Sequence, residues 1–362
     1  MAEPRAAVKA TGIGPLLGGV LVLALAAGGW GQGKARGFEI VDNLGRKVAV
    51  PAKVERIISL EPEATRIIIA LGAGDRLVGI DFFLRHYDRV FPLVFPEVGR
   101  LKVVSNQGQE LHYEQALRLR PDIVFASPSE FGAAAAIESK LMVPVAVLAS
   151  MGRFAGLFGE IETLGRVLGR EERAGALVAY LRARLDEAVR ASSATPSEKR
   201  PSVYLAFWGS LVRTPVAYDP VEAAGGRNVA AGLLPDYLGA PAATVSIERM
   251  LVWDPDVILV QGSYPPAERR VTVEGILRDP RLASLKAVRT GRVGYTFGYW
   301  YWWDPALVLV ETIYLCRLFN SEKAAPEDLV RTGDEIFQEV YGRPGVFSAL
   351  CRVLECHEWT AQ

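Results

Sequence analysis

Apolar residues in this chain fall into short β-branched runs, separated by stretches in which they recur at helical spacing. The clearest pattern occurs twice. Tyr113–Ser127 reads YEQALRLRPDIVFAS, and Ile247–Gln261 reads IERMLVWDPDVILVQ. The two align without a gap, pairing Glu114 with Glu248, Leu117 with Leu251, Pro121 with Pro255 and Asp122 with Asp256. Each copy predicts a short helix starting near the Glu and a stop at Pro, which lacks an N–H and crowds the preceding turn. A buried strand follows, because IVFA and VILV have the branching of a parallel strand covered on both faces. Repetition of a whole unit implies two similar lobes.

The remaining pattern fits this frame. Phe38–Pro51 (FEIVDNLGRKVAVP) alternates around Asn-Leu-Gly, which predicts a hairpin. Arg56–Leu60 predicts a strand, and Glu61–Thr65 (EPEAT) opens a helix with Pro62 in its first turn and acidic residues suited to the dipole. That helix ends at Gly72-Ala73-Gly74, and Leu77–Ile80 is the next strand. Strand–helix alternation continues to Val143–Leu148, which predicts a mostly parallel sheet. From Arg153 to Ala191 the period becomes helical, through Phe154, Ile161 and Leu168 and then Leu177, Leu181 and Leu185. Gly165, Gly169 and Gly175 offer break points there. Alternation resumes with strands at Val203–Phe207, Val257–Val260 and Gly291–Thr296, and with helices at Val221–Asn228, Pro305–Phe319 and Glu327–Tyr341. The expected architecture is α/β: two Rossmann-like lobes with mostly parallel sheets, joined by one long helix, with a cleft between them. The lobes span residues 38–152 and 193–345, the connector 153–192, and an extension 346–362.

Composition narrows the function classes. A chain of 362 residues, half of them apolar, is long enough for two cores. Lys plus Arg and Asp plus Glu balance at 41 each, so nothing invites nucleic acid. Three Cys exclude a disulfide framework as the basis of the fold, and the three His are scattered. At the N-terminus, Arg5 and Lys9 precede an apolar run, Ile13–Ala27, followed by small residues. This predicts a signal peptide over residues 1–33, because the run is shorter than the ~20 residues of a membrane span. No Cys follows the run, so export without a lipid anchor is expected, as a monomer in an extracytoplasmic space.

Several segments together resemble the periplasmic substrate-binding proteins of ABC importers, in the class with a single rigid interdomain helix. They are VDNLGRKVAVP, RIISLEPEAT, the two Glu-x-x-Leu…Pro-Asp units, GGRNVA and TGRVGY. The resemblance implies a non-catalytic protein that carries an iron–siderophore, haem or cobalamin to a permease. Some branches instead carry molybdate or tungstate. It further implies that Glu114 and Glu248 dock onto permease arginines. Read from the residues alone, each is equally a first-turn glutamate favourable to the helix dipole.

In such a fold the ligand lies at the carboxyl ends of the strands. The candidate ligand-binding residues there are Glu61, Phe83, Asn106, Gln107, Trp208, Arg213, Tyr299, Tyr301 and Trp302. The last three belong to FGYWYWW, whose rings either pack on the following helix or form a wall for a bulky chelate. Arg213 and Arg85 match an anionic ligand or are solvated, and His86 is a ligand or a plain loop residue. Amides at the Glu61–Ala64 helix start suit an anion, but Glu61 and Glu63 oppose one. Cys351 and Cys356 read as a disulfide, as free thiols, or with His357 as part of a metal site lacking a fourth ligand. No covalent cofactor is expected. The competing class, an exported hydrolytic enzyme, has only Asp81, His86 and Ser127 to draw on, without a GxSxG, HExxH or P-loop motif.

Overall fold

The hairpin predicted from alternation forms as β1 (Phe38–Val41) and β2 (Lys47–Val50), paired antiparallel. The structure is a computed structural model and describes residues 37–107, 110–127, 131–148, 152–192, 197–236, 242–298, 303–319 and 326–355. The segment read as a signal peptide lies outside these residues.

The first lobe continues through β3 (Ile57–Ser59), α1 (Pro62–Ala70), β4 (Leu77–Ile80), α2 (Phe82–His86), α3 (Phe91–Val94), β5 (Lys102–Val103), α4 (Tyr113–Arg118), β6 (Ile123–Ala126), α5 (Phe131–Leu141) and β7 (Val145–Val147). Two helices follow, α6 (Phe154–Leu168) and α7 (Glu171–Ser192). The second lobe comprises β8 (Ser202–Ala206), β9 (Arg213–Pro215), α8 (Asp219–Ala223), β10 (Arg227–Asn228), β11 (Ala242–Thr244), α9 (Ile247–Trp253), β12 (Val257–Gln261), α10 (Val273–Arg278), α11 (Lys286–Arg289), β13 (Val293–Thr296), α12 (Pro305–Phe319), α13 (Pro326–Tyr341) and α14 (Val346–Leu354).

Two parallel sheets result. The first runs β5-β4-β3-β6-β7 and the second β10-β8-β12-β13. Alternation along the strands sorts the core. Ile58, Val124, Val145 and Val147 point to the α4–α5 face, where they meet Ala116, Ala134 and Ile137. Ile57, Phe125 and Ala146 point to the other face, whose core continues through α1, α6 and α12 into the second lobe.

Three regions differ from the sequence reading. The stretch 153–192 is two helices, not one, because Gly169 adopts φ +61° and ends α6 in the left-handed conformation that glycine tolerates. The helix expected at Val221–Asn228 is shorter: α8 closes at Ala223, and Arg227–Asn228 pair with β8 instead. Residues 346–354, set apart as an extension, form α14. Its Phe347 stacks on Phe337 and meets Phe297 edge-on, with ring centroids 6.2 and 5.4 Å apart. Cys351 on α14 is disulfide-bonded, to a partner outside the described residues. Cys316 is a buried free thiol.

Candidate functional site

In an open parallel sheet the ligand crevice lies beyond the carboxyl edge, where strand order reverses. That point falls between β3 and β6 in the first sheet and between β8 and β12 in the second. Chain leaving these strands carries Glu61 and Ser127 on one side, and Trp208 and Gln261 on the other. The two edges face each other. Trp303 and Asp304, beyond β13, contact Arg66 on α1. Arg89, beyond α2, pairs with Glu268, beyond β12, at 2.9 Å.

The first edge is acidic. Glu61 caps α1, its Oε2 accepting from the Glu63 amide at 3.0 Å, and Asp81 caps α2, its Oδ1 accepting from the Leu84 amide at 2.9 Å. Both are enclosed, at 0% and 6% exposure. Glu61 Oε1 and Asp81 Oδ2 find no hydrogen-bond partner among the described residues. Burial, then Glu63 and Glu160, push the Glu61 carboxyl well above its usual range. Burial raises Asp81 to about 7 against its capping amides. Beside them α2 builds an aromatic rim. Phe82 stacks on His86 at 4.2 Å, Phe83 meets Tyr87 at 5.7 Å, and Gln107 Nε2 reaches the Tyr87 hydroxyl at 3.5 Å. Asn106 is turned elsewhere: its amide closes a loop onto Glu110, so it shapes the rim.

The second edge is aromatic and basic. Trp208 sits at φ +53°, a conformation that a bulky side chain adopts at a cost of ~1–3 kcal/mol and that clusters at functional sites. Gln261 holds it there, accepting from the Trp208 amide at 2.6 Å. The Arg213 guanidinium lies over the Trp208 ring, 5.2 Å from its centroid. Gly298 adopts φ +62°, and a Cβ there would stand 3.1 Å from Gln261 and 3.2 Å from Phe207. Behind this edge Glu311 on α12 takes the Thr296 hydroxyl on one oxygen and the Phe297 amide on the other, at 2.9 Å. Burial raises it to about 7. Tyr299, Tyr301 and Trp302 lie outside the described residues.

A buried network ties the lobes together beneath the cleft. Arg66 pairs with Asp88, donates to the Trp303 carbonyl at 3.3 Å and stands 3.9 Å from Asp304. Burial disfavours its charge, but Asp88 and then Asp304 outweigh that and raise its pKa. Asp304 caps α12 through the Ala306 and Leu307 amides and takes the Tyr341 hydroxyl at 2.6 Å.

The repeated units form as expected, down to their backbone angles. Arg120 and Asp254, each just before the repeat's Pro, adopt φ +46° and +40°. Glu114 and Glu248 stand in the first turns of α4 and α9, both exposed. Glu248 is held below its ordinary pKa, first by Ser246. Glu114 has Arg118 at 3.7 Å, an exposed pair of small energetic weight.

Among the proposed ligand residues, the structure brings Trp208 to Arg213, and Phe83 and Gln107 to Tyr87. Asp81 and Gln261 open two of the carboxyl-end loops that the strand-end rule selects, though neither is among the candidate ligand residues, and Arg66 beneath them was missed altogether. Asp81 carried a legible signal, an Asp directly after a strand and three residues before a helix amide. Gln261 is the one polar residue closing VILVQ. The triad weighed for a hydrolase is not assembled: no hydrogen bond joins His86 to Asp81 among the described residues. Nor do these hold three or more His, Cys, Asp or Glu grouped to bind a metal ion.

The periplasmic binding protein family matches residues 57–297. The molybdate-binding protein MolA of Haemophilus influenzae is 27% identical over 337 residues, covering 83% of this chain and 90% of that protein. The solved structure of MolA bound to molybdate superposes with a TM-score of 0.68 at 23% identity, covering 85% of this chain and 98% of that one. A cobalamin-binding protein of Halobacterium salinarum is 26% identical over 215 residues, 59% of this chain and 55% of that protein. With its two facing carboxyl edges and a family match across both sheets, the chain belongs to the periplasmic binding proteins.

Proposed function

We propose that this protein encloses a metal-bearing organic ligand, an iron chelate such as a siderophore or haem, or cobalamin, between its carboxyl edges. It delivers that ligand to the permease of an ABC importer. The observation that carries the reading is the duplicated helix–Pro–Asp–strand unit, which puts an exposed Glu in the first turn of each crossover helix. A crossover helix starts at the carboxyl edge of its sheet, so both carboxylates stand at the level of the cleft rim. A carboxylate meeting a guanidinium forms a charge-assisted, often bidentate bond. Two such bonds, one per lobe, report the relative placement of the lobes. The Arg66 network and the shared core limit opening to a modest rotation, so ligand and permease are coupled by differential affinity for nearby states.

In this reading the described body follows a signal peptide over 1–33, works outside the cytoplasm without a lipid anchor, and acts as a monomer without turnover. Its lobes divide at the α6–α7 connector. Trp208 offers a ring face to a bulky ligand, and Phe82 and Phe83 line the opposite rim. The second reading, a molybdate or tungstate carrier, is favoured by the length of the MolA alignment and by Arg213. An absorption spectrum and mass spectrum of protein purified from its native host test the two. A Soret band, a corrin spectrum or a siderophore mass is the expected result. Bound molybdenum without an organic ligand would overturn the first reading.

A further inference from the structure

We infer that Glu61 and Asp81 form a cation-recognising pair in the cleft, selecting a ligand that presents a positively charged or metal-centred face and disfavouring a free oxyanion. The inference rests on reading the cleft as a ligand site. It deepens that reading by assigning the charge of the ligand's buried face.

The two carboxylates leave neighbouring strands. β3 and β4 pair with Ser59 beside Ile80, so the chain reaches Glu61 and Asp81 side by side at one edge. Each spends one oxygen on a helix cap and keeps the other, Glu61 Oε1 and Asp81 Oδ2, buried and without a hydrogen-bond partner among the described residues. A desolvated, unmatched carboxylate is unfavourable, and a cation placed between two of them offsets that. Nearby charges act in the same sense. Glu63 on α1 and Glu160 on α6 add to the negative potential at Glu61, and Asp88 to that at Asp81. The nearby cation, Arg66, is engaged with Asp88.

Most of the anion receptors at these helix starts are taken. The Glu63 amide donates to Glu61, the Leu84 amide to Asp81 and the Phe82 amide to the Ser105 hydroxyl, while Pro62 has no N–H. Above their raised pKa values both carboxyls are ionised and only accept hydrogen bonds, so there an oxyanion meets acceptors. Two carboxylates supply fewer donors than the about six a hard cation takes. The metal therefore arrives with donors of its own, as in a chelate.

Calorimetric titration of the purified full chain, dialysed against a chelator, tests this with Ni(II), ferric acetohydroxamate and sodium molybdate. At least one of the two metal probes binds, and E61Q and D81N each weaken it roughly tenfold or more. The melting temperature of each variant stays equal or rises, because an unmatched buried carboxylate has been removed. A merely structural role for either carboxylate would lower it. The two variants are independent, so misfolding of one leaves the other as the test. Three results overturn the inference: molybdate held more tightly than both metal probes, a metal probe bound equally by wild type and both variants, or neither metal probe bound at all. The transport reading has its own readout, stimulation of the importer's ATP hydrolysis, so the two failures are distinguishable.

Discussion

In the first lobe, Asp122 accepts from the Glu55 and Arg56 amides, both at 2.8 Å, and so pins the start of β3 to the start of β6. Asp256 does the same in the second lobe, taking the Ser202 amide at 2.8 Å and its hydroxyl at 2.7 Å, and so pins β8 to β12. At the other end of the same strands the likeness stops. β3 runs into a buried carboxylate and a helix cap, whereas β8 runs into a strained tryptophan beneath an arginine. The amino edges and crossover helices are thus duplicated, and the carboxyl edges have diverged. Where both lobes hold a sheet together and expose a first-turn Glu, the residues repeat. At the carboxyl edges, where the proposed ligand would sit, they do not.

The largest expected effect comes from breaking the network that lets two unlike edges share one cleft. R66L leaves Asp88 buried without its counter-ion and costs about 3–5 kcal/mol in denaturant unfolding. A loss well under that would mean the lobes are held by apolar packing alone.

Glu311 gives the second edge a pH dependence. Its carboxyl rises from 4.5 to about 7 in the folded protein, mainly by burial. The folded state then binds the proton more tightly than the unfolded one. The stability this contributes is full below pH 4.5 and falls as pH rises through about 7, by on the order of 3 kcal/mol. E311Q flattens that slope in melts across this range, and an unchanged slope would exclude Glu311 as its source.

The duplicated pins sharpen the comparison directly. D122N and D256N each cost about 1–2 kcal/mol, because each replaces a charged two-donor acceptor at a strand start with a neutral one, and D256N costs the more because Asp256 also pairs with Lys286 at 2.5 Å. An equal or greater loss in D122N would mean that the likeness of the units is one of sequence and not of energetics. Smallest is W208G, a net loss of about 1 kcal/mol, because relief of the left-handed strain offsets most of the contacts that the half-buried ring makes with the core. It also weakens ligand binding, because the ring under Arg213 is lost. Unchanged ligand affinity would show that Trp208 packs and does not recognise.

Most of the frame was legible in the sequence because it follows from local periodicity and from Pro and Gly positions. The hairpin, β4, α12 and the repeated units are of this kind. What escaped depends on contacts distant in sequence. Arg66 reads as a polar residue on an apolar helix until Asp88 and Asp304 close around it. Residues 346–354 look like a tail until Phe347 meets Phe297 and Phe337. Arg227–Asn228 extend a helical pattern, yet pairing with β8 outweighs propensity. At the site, the position of Glu61 followed from the carboxyl-edge rule. The same rule reaches the loop opening at Asp81, yet not its role, since a capping aspartate is ordinary until its second oxygen is found buried and unmatched.

The proposed docking puts one glutamate of each lobe on a membrane permease. Its most direct test is ATP hydrolysis by the reconstituted importer, stimulated by wild type, E114A, E248A and the double variant, with ligand affinity measured in parallel. Each single change is expected to lower stimulation and the pair to abolish it, while ligand affinity holds. Full stimulation by the double variant would contradict it.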